Sequence, residues 1–234
     1  LNWNTPQTVT LTGVNDAIVD TDTQTTVTIS VTDDSSNDEY DDVANQTVAV
    51  TTTDDETAAF AKSEGTQTVT EGGVTDTFTL VLNAQPASDV VLRVTSADTG
   101  EVTVGAADYT FTAANWDSAQ TVTLTGIDDA IVDTDTQTTV TIAVVDDSSD
   151  NNFDSVANQT VTVTTTDNET AGFTKSAATR TVTEAAGGGN TATFTLVLDA
   201  KPASDVVLGV VSGDTGEVTV SAAAFTFTTL NWDS

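Results

Sequence analysis

Residues 121–144 read TVTLTGIDDAIVDTDTQTTVTIAV. Both ends alternate Thr with Val, Leu or Ile, a period of two that turns one row of side chains into a core and the other into water. Thr suits the wet row because its β-branched side chain fits a pleated backbone. Between these two strands lies a loop with four carboxylates, Asp128, Asp129, Asp133 and Asp135, and no Lys, Arg or His. Unit charges about 4 Å apart repel by roughly 4 kcal/mol at an effective dielectric of 20. A folded loop holds such charges either fully solvated or around a cation. Ligand type favours a hard cation, since Ca²⁺ takes about six to eight oxygens, many of them from Asp and Glu.

The whole chain carries the same bias. Its 234 residues include 36 acidic and 5 basic side chains, a formal charge of −31. Nucleic acids and anionic membranes need basic patches, so neither is an expected partner. Asp outnumbers Glu by 28 to 8, and the shorter side chain is the one suited to turns and tight coordination loops. The absence of Cys and His removes thiolate chemistry, disulfides and the commonest general base and transition-metal ligand. No apolar run approaches the roughly 20 residues of a membrane-spanning helix. Apolar residues make up 38% of the chain and fall in alternating runs, which points to folded strands rather than to disorder.

Internal repetition sets the architecture. The loop at 125–135 repeats residues 12–22, TGVNDAIVDTD; TTTDDETAAF at 51–60 returns as TTTDNETAGF at 164–173; Asn2-Trp3 recurs at 115–116 and 231–232. The unit is therefore about 113 residues, with a three-residue insertion within Ala185–Asn190. The period-two runs predict strands near 59–70, 75–83, 89–95, 100–105, 108–113, 119–126, 136–145 and 158–166. Such short strands separated by Gly, Asp and Asn turns predict an all-β, antiparallel immunoglobulin-like β-sandwich. Residues 57–169 make a complete unit, 1–56 match the C-terminal half of one, and 170–234 match the N-terminal half. Half-sandwiches expose sheet faces and edges. The expectation is that the N-terminal half of one copy completes the C-terminal half of another, as a closed antiparallel dimer or as an open head-to-tail fibre.

Antiparallel order gathers remote loops at one pole of the complete unit: Glu71, Asp98, Asp108, Asp128, Asp129, Asp133, Asp135, and Asp167-Asn168-Glu169. The partial units offer Asp16, Asp20, Asp22, Asp54, Asp55, Glu56 and Glu184 at the corresponding places. The order EGG…AADY…IDDxIxDxD…DNETAGF is similar to the Calx-beta domain family, and it resembles the calcium-dependent extender repeats of giant RTX-type bacterial adhesins. The resemblance implies a Ca²⁺-loaded sandwich with ions at the C-terminal pole, bound through Glu71, Asp108, Asp128, Asp129, Asp133 and Asp167 to Glu169. It also implies an extracellular stalk on a bacterial surface, stiffened by calcium, with neighbouring repeats as partners.

Asp108-Tyr109 becomes Ala224-Phe225 in the last half-unit, so a composite pole built from 1–56 and 170–234 is expected to bind fewer ions or to bind them more weakly. At the opposite pole, Asp146, Asp147, Asp150 and Asp154 fit either one further ion or a solvated loop of Asp and Ser turns. Trp3, Trp116 and Trp232 read as packing residues at a turn, and Phe60 and Phe173 as anchors of a unit's first strand. Catalysis by paired carboxylates is not expected where the acids are so numerous and aromatic side chains so few. Two other functions stay open: a calcium-sensing regulatory module, and a domain that itself binds a glycan or ice surface.

Overall fold

A computed structural model of the chain describes residues 4–184 and 190–234. Its complete sandwich comprises nine strands: β1 Phe60–Lys62, β2 Thr66–Thr70, β3 Thr75–Leu82, β4 Val90–Ser96, β5 Val102–Val104, β6 Asp108–Phe111, β7 Gln120–Gly126, β8 Thr136–Val144 and β9 Gln159–Thr166. They form a five-stranded sheet in the order β6-β4-β8-β9-β2 and a four-stranded sheet in the order β1-β3-β7-β5. The alternation in the sequence is the alternation of burial. Val140 and Ile142 of β8, Val161 and Val163 of β9, and Phe78 and Leu80 of β3 are all buried, while the intervening Thr residues of these strands are wholly or partly exposed. Each such buried side chain contributes about 1.5–3 kcal/mol.

The first predicted strand, 59–70, is two strands on different sheets. β1 pairs antiparallel with β3, whereas β2 pairs parallel with β9. The crossing occurs at Ser63–Gly65, where Ser63 Oγ accepts from Thr79 N (2.9 Å) and Gly65 O accepts from Thr162 N (3.0 Å). The Ser63-Glu64-Gly65 interruption ahead of the Thr66–Thr70 alternation marks the break. Trp116 packs partly buried against the core, and its carbonyl accepts from Leu82 N (3.1 Å). Trp232 accepts likewise from Leu198 N (3.0 Å). Trp3 and, except for Asn190, the insertion at 185–190 fall outside the described residues.

The partial units fold as isolated strand pairs: Thr23–Ile29 with Gln46–Thr52, Phe173–Lys175 with Leu196–Leu198, and Val206–Gly209 with Ala224–Phe227. Ile29 and Val48 are 49% and 46% exposed, against 0% for their counterparts Ile142 and Val161 in the complete unit. Among the described residues no second sheet covers this pair.

Successive units also touch through a small device that the sequence reading did not anticipate. Ile18–Val19 forms a parallel two-residue bridge with Gln85–Pro86, and Ile131–Val132 forms the same bridge with Lys201–Pro202. In each case the acidic loop of one unit meets the segment joining the third and fourth strands of the next.

Candidate metal centre

Four loops meet at the pole where β2, β7 and β9 end. Glu71 N donates to Thr166 O (3.1 Å), Ile127 N to Glu101 O (2.9 Å), and Asp167 N to Asp135 Oδ1 (3.4 Å). Asn168 Nδ2 donates to Asp128 Oδ1 (3.2 Å). Gly72 permits this closeness. Its φ is +80°, and a Cβ there would come within 3.1 Å of Asn168 Nδ2 and 3.4 Å of Asp128 Oδ1, so a side chain would be both strained and crowded.

Two carboxylate trios result, Glu71 with Asp129 and Glu169, and Glu71 with Asp133 and Asp167. Within each trio one oxygen from every residue lies within 4.8 Å of the others. Glu71 belongs to both and is only 6% exposed. Among the described residues, three buried side-chain oxygens have no hydrogen-bond partner: Glu71 Oε2, Asp167 Oδ1 and Glu169 Oε2. All three are in these trios. An ionised, buried oxygen without a donor is costly, and a positive ion relieves it. The donor set is oxygen only and carries several charges, which suits a hard divalent cation of Ca²⁺ type, with backbone carbonyls and water completing the shell.

The acids raise one another's affinity for protons. Burial first, then the Glu169 carboxylate and the charges of Asp129 and Asp167, push the Glu71 carboxyl up to about 7. Asp133 is raised by burial and by Asp167, Asp129 and Asp135. Glu101 is raised by burial and by Asp133, Asp98 and Asp129. Glu101 thus faces the same cluster and was missed in the sequence. Its signal was available: DTGE at 98–101 recurs as DTGE at 214–217, a turn that ends on a carboxylate in both copies.

No family model matches this chain. No curated protein matches it either. Among solved structures it is similar to an apo-form Calx CBD1 domain, with TM-score 0.35 and 14% identity over 49% of this chain and 100% of that one. It is also similar to domains 4 and 5 of the S-layer protein SbsC, with TM-score 0.34 and 21% identity over 53% of this chain. The match spans about half (52%) of that S-layer fragment. A third likeness is to SSP-19, an MSP-domain protein like family member of Caenorhabditis elegans (TM-score 0.32, 20% identity, 45% of this chain and 96% of that one). At these scores none of them assigns a function.

Asp128, Asp135 and Asn168 hold the loops around the trios, and Asp98 stands beside Glu101 while its Oδ1 accepts from Gly100 N (2.9 Å). Asp108 is placed elsewhere. Its two oxygens accept from Arg93 Nε (2.7 Å) and an Arg93 terminal nitrogen (2.8 Å), across the register that sets Asp108 opposite Arg93 in β6 and β4. That hydrogen-bonded guanidinium lowers the Asp108 pKa. In the last unit the same register pairs Gly209 with Ala224, so both members of the ion pair are absent together. Ala224 therefore stands where this surface ion pair is absent, and the expectation of a weaker composite pole, which took Asp108 as a ligand, gains no support from it. Asp108→Ala is expected to leave calcium affinity and melting temperature nearly unchanged, since exposed pairs contribute little. A large loss of affinity in a calorimetric titration would return Asp108 to the ligand set.

In the N-terminal partial unit, Asp16, Asp20, Asp54, Asp55 and Glu56 line an open cleft of about 490 Å³, and Asp22 Oδ1 accepts from Asp54 N (3.1 Å). Glu56 is raised by desolvation, by its hydrogen bond with Asp54 and by Asp55. Glu184, the counterpart of Glu71, is exposed and belongs to none of the carboxylate groups found among the described residues.

At the opposite pole Asp150, one of the four acids of the Asp146–Asp154 loop, is neither solvated nor without partners. It is buried, with Oδ2 accepting from Ser88 N (2.8 Å) and Oδ1 from Asn152 N (3.0 Å). It caps the short turn Asn151–Phe153, whose Phe153 is fully buried. Both oxygens are occupied by backbone donors, which makes this residue a brace.

Proposed function

We propose that the chain is a calcium-stiffened extender of a bacterial surface adhesin, a stalk that projects a distal binding domain from the cell. The observation that carries this is the donorless, buried Glu71 oxygen flanked by Asp167 and Glu169. These two flanking acids lie in the linker that leads from β9 into Phe173 of the next unit. A divalent ion held by Glu71, Asp129 and Glu169, and a second by Glu71, Asp133 and Asp167, ties that linker to the body of the sandwich. Without the ion, the same charges repel and the linker swings. The role is mechanical, and the reading gives the carboxylates no catalytic part. Its partners are neighbouring units of the same protein, and a complementary half, from an adjoining repeat or a second copy, fits the bare faces of the strand pairs at either end.

Among the described residues no helix is long and apolar enough to cross a membrane. Small-angle scattering of the full chain in millimolar calcium is expected to show a longer and less variable particle than in chelator. Identical profiles would sink the stalk. Calorimetric titration separates the stalk from a sensor. Extracellular modules bind Ca²⁺ at about 10⁻⁴–10⁻³ M, sensors at about 10⁻⁷–10⁻⁵ M, and the expectation here is the weaker range.

A further inference from the structure

We propose that the loop between β7 and β8 is a two-faced connector, in which seating on the following unit and cation binding at the carboxylate cluster strengthen each other. The proposal rests on the cation reading above and adds a coupling between that site and the neighbouring unit.

Alternation along five residues is what carries it. Asp129 belongs to a trio; Ala130 O accepts from Lys201 N of the next unit (2.8 Å); Ile131 and Val132 bridge Lys201 and Pro202; Asp133 belongs to the other trio. Asp129 Oδ1 also accepts from Ile131 N (2.6 Å), so the carboxylate and the bridging backbone are fixed in one turn. The second connection to the next unit, the linker, carries Asp167 and Glu169 of the same two trios. A cation there joins the connector to the linker.

The upstream junction repeats the seating side of the arrangement. Asp16 Oδ1 accepts from Ile18 N (2.9 Å), Gln85 N donates to Ala17 O (2.8 Å), and Ile18–Val19 bridges Gln85–Pro86. There the receiving side is complete. Val19 is buried within the core cluster of residues 60–163, and Asn152 Nδ2 donates to Val19 O (2.9 Å). Asn152 is positioned by Asp150, the buried brace of the second acidic loop. That loop is thus a socket for the preceding unit's connector.

Coupling follows from ordering. An unseated loop of four carboxylates has many conformations and loses them on binding an ion. A seated loop has already lost them, so the ion binds more tightly. By thermodynamic reciprocity the ion strengthens seating by the same factor.

The test uses the ¹⁵N-labelled full chain and Ca²⁺ alone, read by NMR at two places: the Gly72 amide for the cluster and hydrogen exchange of the Lys201 amide for seating. In wild type, calcium is expected to shift Gly72 and to slow exchange at Lys201. Lys201→Pro removes the donor to Ala130 and is expected to raise the calcium midpoint at Gly72 about fivefold or more. Val132→Ser, which keeps that donor and replaces a half-buried apolar side chain with a polar one, should move it in the same direction. Glu71→Gln should abolish the calcium effect on Lys201 exchange. Unchanged midpoints in both connector variants, or slowing at Lys201 that persists in Glu71→Gln, overturns the coupling. A Gly72 amide that ignores calcium in wild type overturns the cation reading itself, and the coupling with it.

Discussion

Glu71→Gln is expected to stabilise the chelated protein at pH 8 and to destabilise the calcium-loaded protein, reversing the order of mutant and wild type. The Glu71 carboxyl is raised from its ordinary value of 4.5 to about 7 by burial and by Glu169, Asp129 and Asp167. A carboxyl whose folded pKa lies above its unfolded pKa favours the fold when protonated. That contribution is fully present below pH 4.5 and is lost as pH rises through 7. In chelator, wild type should therefore melt higher at pH 5 than at pH 8. Glutamine is neutral at every pH, so the mutant escapes the loss. It should exceed wild type at pH 8 by about 3 kcal/mol, or roughly 10–15 °C for a unit of this size, with less than about 1 kcal/mol of that difference remaining at pH 5. Calcium reverses the sign because the ion takes the proton's place. Each site gives wild type about 2.7 kcal/mol at a hundredfold excess over Kd, and both trios lose their shared ligand in the mutant. Differential scanning calorimetry at pH 5 and pH 8, with calcium and with chelator, gives the answer. A mutant that melts below wild type in all four conditions would mean that Glu71 is a structural acid and no cation is bound.

The strands were legible in the sequence because burial follows the period-two rows of Val, Leu and Ile with no help from tertiary context. The pole was legible for a related reason: antiparallel order alone sends residues 71, 128–135 and 167–169 to one end. What stayed hidden depended on register or on contacts between units. Asp108 sits in a motif, AADY, that reads as a ligand, and only the pairing of β6 with β4 shows Arg93 opposite it. Glu101 hides in a DTGE turn beside the more conspicuous Asp98. Ile131–Val132, an apolar pair inside a loop of four acids, was the clearest unread signal. A loop serving the solvent or an ion alone has no use for two β-branched aliphatics, and the upstream copy shows their role where Val19 is buried in the next unit's core.

Val19→Asp carries that lesson to a measurement, because it should destabilise a unit to which the residue does not belong. Val19 is 6% exposed and packs in the core cluster of the complete sandwich, although forty residues of chain separate it from Phe60, the first strand residue there. An aspartate held in that core would be an unpaired buried charge, at a cost of several kcal/mol. The structure has a cheaper response, since the segment at residues 17–19 is tied on by the short bridge to Gln85–Pro86, the Gln85–Ala17 hydrogen bond and the Asn152–Val19 hydrogen bond. It can leave. The penalty is then limited to the seating energy, for which burial of one valine sets a scale of about 1.5–3 kcal/mol. The melting temperature of the complete unit should fall by roughly 5–10 °C, and the amide protons of Gln85 and Asn152 should exchange faster. Val132→Asp makes the same chemical change at a half-buried position of the complete unit, bridged to a partial one, and should move the melt much less. Equal effects at the two positions would show that the upstream contact is incidental. A larger effect at Val19 would show that each sandwich borrows part of its core from the one before it, so that a row of such units resists bending and unfolding together.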